Sequence, residues 1–372
     1  MGKRLLMPLD SCLLTLKHFW QKNLWNKIIT WLVLIVVACL GSMYGIAQWY
    51  ISSNKAKPLV LGTSFIPAYA ESLGLDSKAT MDALINDLGV RHFRLVSYWD
   101  QLEPEQGKYD FSLLDWQFQK AEAANAKITL ALGLRQPRWP ECHMPAWAAQ
   151  LPSGTAEGTW QKSLEQYIAQ VTNRYKGSPA LDSYQLENEY FLRGFGICTD
   201  FSRQRLVNEY NLVKRLDPYH TLIVARSNNA LGMPIGQPTP DAFGISIYKR
   251  VWDANLTHRY LEYPFPAWFY GFVAGSQKIY TGKDMIIHEL QAEAWPPHAQ
   301  DITKTSLEEQ NKSFNAQRFA DRVEFGKATG MRQIYLWGAE YWYYRLIKLN
   351  DPSLWSVAQA KFAPWNPNVI ID

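Results

Sequence analysis

The sequence lacks the features that mark several large protein classes. It has no charge excess of consequence: 38 Lys and Arg stand against 34 Asp and Glu, scattered along the chain. That gives no surface for tracking phosphates and argues against a nucleic-acid partner. Cysteines are few, four in 372 residues, and their spacing matches no zinc pattern. "HEL" at 288–290 does not open an H-E-x-x-H zinc motif, because residue 292 is alanine. No metal or other cofactor is expected. Internal repeats, low-complexity tracts and a second-domain boundary are also missing.

What is present begins with one apolar run. "IITWLVLIVVACLGSMYGIAQWYI", residues 28–51, contains no charged residue, and at about 1.5 Å per residue it can span a hydrocarbon core of about 30 Å. It reads as a single transmembrane helix, with Trp25 and Trp31 at one interface and Trp49 and Tyr50 at the other. Lys3, Arg4, Lys17, Lys22 and Lys27 precede it, and only Lys55 and Lys57 follow closely. The positive-inside bias therefore keeps residues 1–27 as a short cytoplasmic segment of a cytoplasmic-membrane protein. A linker, 52–58, then leads to one folded domain, 59–372, on the extracytoplasmic side. A cleaved signal peptide fits less well, since the run is long and has no clear A-x-A site. "VVAC", ending at Cys39, resembles a lipoprotein box, but apolar residues continue for another dozen positions. Cys12 and Cys39 lie before or within the span. Cys142 and Cys198 lie in the exported part, where an oxidising compartment would favour their pairing over two buried thiols.

Strand-like and helix-like stretches alternate through the exported part. Strands are expected at 59–65, 91–98, 127–134, 181–189, 221–227, 242–248, 285–290 and 333–337. Between them lie amphipathic helices such as "TWQKSLEQYIAQVTNRYKG", whose Trp160, Leu164, Tyr167, Ile168 and Val171 share one face. Eight βα alternations point to an α/β fold, a (β/α)8 TIM barrel, with a doubly wound sheet as the weaker rival. The Gly- and Pro-rich link after the fifth strand carries little helical signal. The apolar "PAWFYGFVAG", 266–275, reads as a barrel helix or as a membrane-facing patch.

In such a barrel, chemistry gathers at strand C-terminal ends. "YQLENEY" ends the fourth strand, and alternation makes Glu187 and Glu189 point the same way, Glu189 at the mouth and Glu187 one layer deeper. A charge at that depth needs a partner, and Arg94 near the end of the second strand is the candidate. "MIIHELQAEAW" ends the seventh strand with Glu289, across the barrel from Glu189; His288 should point away from the mouth. Two carboxyls facing each other, one protonated and one ionised, are the minimum equipment for cleaving a glycosidic bond. A separation of about 5 to 5.5 Å would make the second a nucleophile, with retention of configuration.

These motifs resemble those of the clan A glycoside hydrolases, families 5, 35 and 42 among them. Asn188-Glu189 matches the clan's Asn-Glu pair, and Glu289 its seventh-strand nucleophile. "RLVSYWDQLEPEQGKYDFSLLDW" with Arg94, "LALGLRQPRWP", Tyr248 and Trp337 add to the likeness. The resemblance implies a retaining glycosidase acting on an oligo- or polysaccharide. Glu189 would be the acid/base, Glu289 the nucleophile, and Asn188 the partner of the sugar 2-hydroxyl. Arg94, more so for Glu289 than for Glu187, and Tyr248 would hold Glu289 ionised; Trp337 would floor the sugar site. The chain departs from the pattern where Tyr184 and Gln185 replace a frequent Trp, and Glu293 is a rival nucleophile. Trp139 and His143, after the third strand, are candidate sugar contacts, as is loop packing. The same ambiguity attaches to Trp147, Glu340, Tyr341 and Trp342. Cys142 and Cys198 fall in neighbouring loops, where a bridge would brace the rim beside Glu189. Two other readings share these residues: a non-hydrolytic glycan-binding scaffold barrel, and a transglycosylase of envelope polysaccharide assembly.

Overall fold

The computed structural model describes residues 24–192, 195–198, 200–226, 236–299 and 301–365. The first 23 residues, with Cys12, Lys3, Arg4, Lys17 and Lys22, and most of the link after the fifth strand lie outside them. The strands are β1 (Val60–Ser64), β2 (His92–Leu95), β3 (Lys127–Leu132), β4 (Leu181–Leu186), β5 (Thr221–Arg226), β6 (Ala242–Ile247), β7 (Arg250–Asp253), β8 (Arg259–Glu262), β9 (Asp284–Gln291) and β10 (Gln333–Trp337). Eight of them, all except β7 and β8, close a barrel in which every neighbouring pair is parallel, β10 pairing with β1. The α/β barrel expected from the alternation is the fold.

Alternation sorts the side chains. Ile128, Leu130 and Leu132 of β3 join the core between barrel and helices, while Thr129 points inward. There its hydroxyl meets those of Ser183 at 2.8 Å and Tyr335 at 2.7 Å, and Tyr335 packs with Ile223 and Ile286 from across the barrel. Helices begin where a side chain can take up their orphan N–H groups. Asp76 accepts from the Ala79 N–H, and Asn315 from that of Arg318. The helix Trp160–Tyr175 buries the face that its spacing predicts.

Two features depart from the expected pattern. The aromatic segment after β6 folds first into the antiparallel hairpin β7–β8 and then into the helix Ala267–Thr281. In addition, β9 carries one more residue than either neighbour: Ile287 and Leu290 face Ile334 and Leu336, and Ile245 and Ser246 face Ile287 and Glu289. Such a bulge turns consecutive side chains to one side and breaks strict alternation. His288 consequently lies inside the barrel rather than away from it, its Nε2 3.2 Å from the Ser246 hydroxyl and its Nδ1 3.9 Å from Glu289.

The N-terminal helix, Leu24–Asn54, runs past both ends of the expected 28–51 span and takes up the first residues of the expected linker. It is long and apolar enough to cross a membrane. Its last turns pack on the helix Ala267–Thr281, which buries Tyr270, Gly271, Ala274, Gly275 and Gln277.

Candidate active site

β4 stops at Leu186, and the chain then turns sharply: Glu187 and Glu189 both take left-handed backbone angles, φ 53° and 43°. For a residue with a side chain this conformation costs about 1 kcal/mol or more, so surrounding contacts must impose it. The alternation expected over 181–189 therefore ends early, and the two acids do not share an environment. Glu187 turns onto the loop after β3 and accepts from the N–H groups of Leu134 at 2.7 Å and Arg135 at 2.9 Å. A Cβ on Gly133, itself at φ 104°, would lie 2.4 Å from the Glu187 carboxylate; only glycine fits there. The cation beside Glu187 is Arg205, at 2.8 Å, and not Arg94. Arg205 lies on the helix Arg203–Leu216, out of reach of any local sequence pattern.

Arg94 is fully buried and serves the other side of the site. It donates to Glu289 Oε1 at 2.7 Å, Asn188 Oδ1 at 2.9 Å and Gln185 Oε1 at 2.6 Å. Tyr248, at the end of β6, donates to the second Glu289 oxygen at 2.9 Å. Both oxygens of Glu289 are thus held by donors suited to a negative charge.

Glu189 sits in a different field. Burial pushes its carboxyl up to about 8, the charges of Glu289 and Glu141 adding to the effect and a hydrogen bond with Ser246 opposing it. Ser246 is the register partner of Glu289 on the neighbouring strand, so Glu189 meets the seventh-strand acid across one serine. Each of the two glutamates retains 4% exposure, at the strand-end mouth.

Glu141 belongs to this constellation, although no motif or periodicity marks it. Its Oε2 accepts from Asn188 Nδ2 at 3.0 Å and lies 3.6 Å from Arg135. Burial pushes it up to about 7, against the pull of Arg135. The one available signal was its neighbour, Cys142, which does pair with Cys198. That bridge ties the loop after β3 to the loop after β4, bringing Gly196 hard against the Glu141 side chain. Ser246, Arg138 and Arg205 are likewise site residues that sequence reasoning did not single out.

Glu293, the rival nucleophile, is committed elsewhere. It accepts from Trp337 Nε1 at 2.8 Å and Tyr69 at 3.1 Å, and pairs with Arg138 at 3.2 Å. Arg138 lies between the rings of Tyr69, 3.3 Å to the centroid, and Trp337, 4.6 Å. One face of Trp337 is therefore covered by a guanidinium, the Arg94 guanidinium lies 6.0 Å from the same ring, and only 4% of the residue is exposed. Glu340, fully buried beside this group, is pushed up to about 7 by desolvation. His143 turns into its loop, stacked on Tyr98 at 3.6 Å with Asp100 at 3.5 Å. Trp139 stands half exposed at the rim, edge-on to Phe195.

Comparison with known proteins places this geometry in context. A family described as beta-galactosidase, glycoside hydrolase family 42, matches residues 76–219. Endo-1,4-beta-xylanase 1 of Humicola insolens is 31% identical over 134 residues, 32% of this chain and 27% of that protein. Beta-galactosidase Bga of Halorubrum lacusprofundi is 25% identical over 154 residues, 36% of this chain and 22% of that protein. The chain thus spans about a quarter of the length of these curated relatives. Among solved structures, a GH5_18 protein from Streptomyces cattleya in complex with GlcNAc superposes with a TM-score of 0.56 at 12% identity, over 85% of this chain and 82% of that one. The likeness to the clan A glycoside hydrolases is shown by the family match and these relatives.

Proposed function

We propose that the protein is a membrane-anchored retaining glycoside hydrolase that cleaves O-glycosidic bonds of an oligo- or polysaccharide outside the cytoplasmic membrane. The observation that carries the reading is the contrast between two neighbouring carboxyls. Glu289 has both oxygens on donors of Arg94 and Tyr248, while Glu189 is pushed up to about 8 and stays protonated at neutral pH. One acid can give a proton and the other an electron pair to a single acetal.

In the first displacement, Glu289 attacks the anomeric carbon as its bond to the leaving oxygen breaks, and Glu189 gives that oxygen its proton. A glycosyl ester on Glu289 results. Loss of the proton makes Glu189 a base. In the second displacement it takes a proton from water, whose oxygen displaces Glu289 and restores both groups. Asn188 Nδ2 carries two hydrogens and gives one to Glu141; the other suits the sugar 2-hydroxyl. Arg94, by bonding both Asn188 and Glu289, fixes the nucleophile relative to that contact. The helix Leu24–Asn54 supplies the anchor.

The test is the full chain with an activated 2-deoxy-2-fluoro aryl glycoside, followed by mass spectrometry of its peptides. A sugar adduct on Glu289, lost in Glu289→Gln, supports double displacement. A turning-over enzyme that never carries the adduct on Glu289 rules it out, and a chain that binds glycans without ever releasing product is a scaffold.

A further inference from the structure

The N-terminal helix does not end at the barrel but continues onto it. From Leu24 to Ile46 no residue is buried; Ala47, Tyr50 and Asn54 then are. The exposed stretch, at about 1.5 Å per residue, already suffices for a hydrocarbon core of about 30 Å. The docked stretch follows in the same helix with no intervening loop.

The contact is built on small residues. A Cβ on Gly275 would lie 2.9 Å from Ile46 and 3.0 Å from Tyr50, and one on Gly271 would lie 3.1 Å from Ile51. Gly330 lets the Ile51 backbone approach as closely, a Cβ there meeting the Ile51 Cα at 2.8 Å. Glycines four apart that allow two helix backbones to touch produce a close and rigid crossing. Tyr44 closes it edge-on against Trp268 at 5.7 Å.

The C-terminal end of the helix docks at the strand starts. Tyr50 bonds the backbone of Met285, near the start of β9. Lys57 pairs with Asp284, the first residue of β9, and its carbonyl accepts from Arg332, just before β10. All of these lie at strand starts, and Glu189 and Glu289 lie at the opposite end. On the same side, the helix Ala267–Thr281 leaves Ile279 and Tyr280 more than half exposed, and Lys55 and Lys57, just past the end of the N-terminal helix, are exposed as well. Aromatic, aliphatic and basic side chains beside a span are what a lipid headgroup layer accepts.

We propose that the strand-start face of the barrel is a bilayer-facing surface, held rigidly by the Gly271–Gly275–Gly330 seat, so that the active-site mouth opens away from the membrane. The proposal rests on the anchor reading above. Its consequence is a substrate class for the same site: a glycan chain reaching the mouth from the aqueous side, rather than the sugar headgroup of a lipid in the same bilayer. Strand length alone separates the two ends by roughly 15 to 20 Å.

The test uses the full chain in phosphatidylcholine–phosphatidylglycerol vesicles carrying a headgroup quencher. Fluorophores are placed singly by Ile279→Cys, near the strand starts, and Leu256→Cys, in the exposed turn of the β7–β8 hairpin at the mouth, both in a Cys12→Ser, Cys39→Ser background that leaves only the bridged Cys142 and Cys198. Quenching of the Ile279 label and none of the Leu256 label is expected. Gly275→Leu should erase that contrast while leaving hydrolysis of a soluble aryl glycoside unchanged, which also reports that the barrel is folded. Equal quenching of the two labels, or stronger quenching at Leu256, in protein that floats with the vesicles overturns the orientation alone. Protein that does not float overturns the anchor and the orientation with it.

Discussion

At the strand starts the barrel interior is closed by neutral groups: the Tyr335, Thr129 and Ser183 hydroxyls satisfy one another, with Ile223 and Ile286 packed beside them. One strand length away, at the mouth, Glu141, Glu187, Glu189, Glu289, Glu293 and Glu340 are all buried, with Arg94, Arg135, Arg138 and Arg205 among them. The lower end minimises free energy with hydroxyls whose desolvation is repaid locally. The mouth retains charge, left-handed glutamates and carboxyls lifted toward neutrality, none of which stability alone would favour. Stability and chemistry are thus assigned to opposite ends, and substitutions at the two should behave differently.

The largest effect belongs to the pair itself. Glu189→Gln and Glu289→Gln should each lower kcat on an aryl glycoside by roughly 100-fold to 10,000-fold, the range of a lost acid/base or nucleophile. Wild-type rates in both would break the contrast between the ends. Next comes Glu187→Ala, which leaves Arg205 buried with only Glu209 and Asp200 as neighbours. Breaking such a pair costs about 3 to 5 kcal/mol, so chemical denaturation should show a large fall in stability. Full stability in that variant would mean that Glu209 and Asp200 alone suffice to hold Arg205.

Glu141→Gln should act more subtly. Glycosyl transfer needs Glu189 protonated, so activity is expected to fall as pH rises through about 8. The Glu141 charge helps to raise that value; a neutral glutamine removes the help, and the alkaline limb of kcat/KM should move to lower pH. An unmoved limb with reduced kcat would leave Glu141 with only the task of placing Asn188. Smallest is Tyr335→Phe at the quiet end, expected to cost about 1 kcal/mol, the value of one net hydrogen bond, with kcat unaltered.

Glu187 and Glu189 show how legibility divides within one turn of chain. Their residue types and position after a strand marked the place, yet alternation assigned both to the cavity. The strand ends at Leu186, three residues earlier than alternation implied, because Leu134, Arg135 and Arg205 offer Glu187 donors from other parts of the chain. Glu289 lies at the strand end where alternation put it, but the bulge in β9, visible only as a register mismatch with β6 and β10, aims it. That same bulge brought His288 inward against expectation. Glu141 follows a loop turn with no periodicity at all, so only the meeting of Cys142 with Cys198 could have flagged it.

What the chain order settled by itself was the eightfold alternation, the apolar N-terminal helix and the two strand-end acids, since each depends on spacing and hydropathy over a few turns. What only closure of the barrel decided was which cation serves which carboxyl, how far Glu189 is lifted, and where the N-terminal helix packs. Those depend on distances of a few ångströms between residues well separated in the chain, from 18 positions for Arg205 and Glu187 to 195 for Arg94 and Glu289, and no local pattern encodes them.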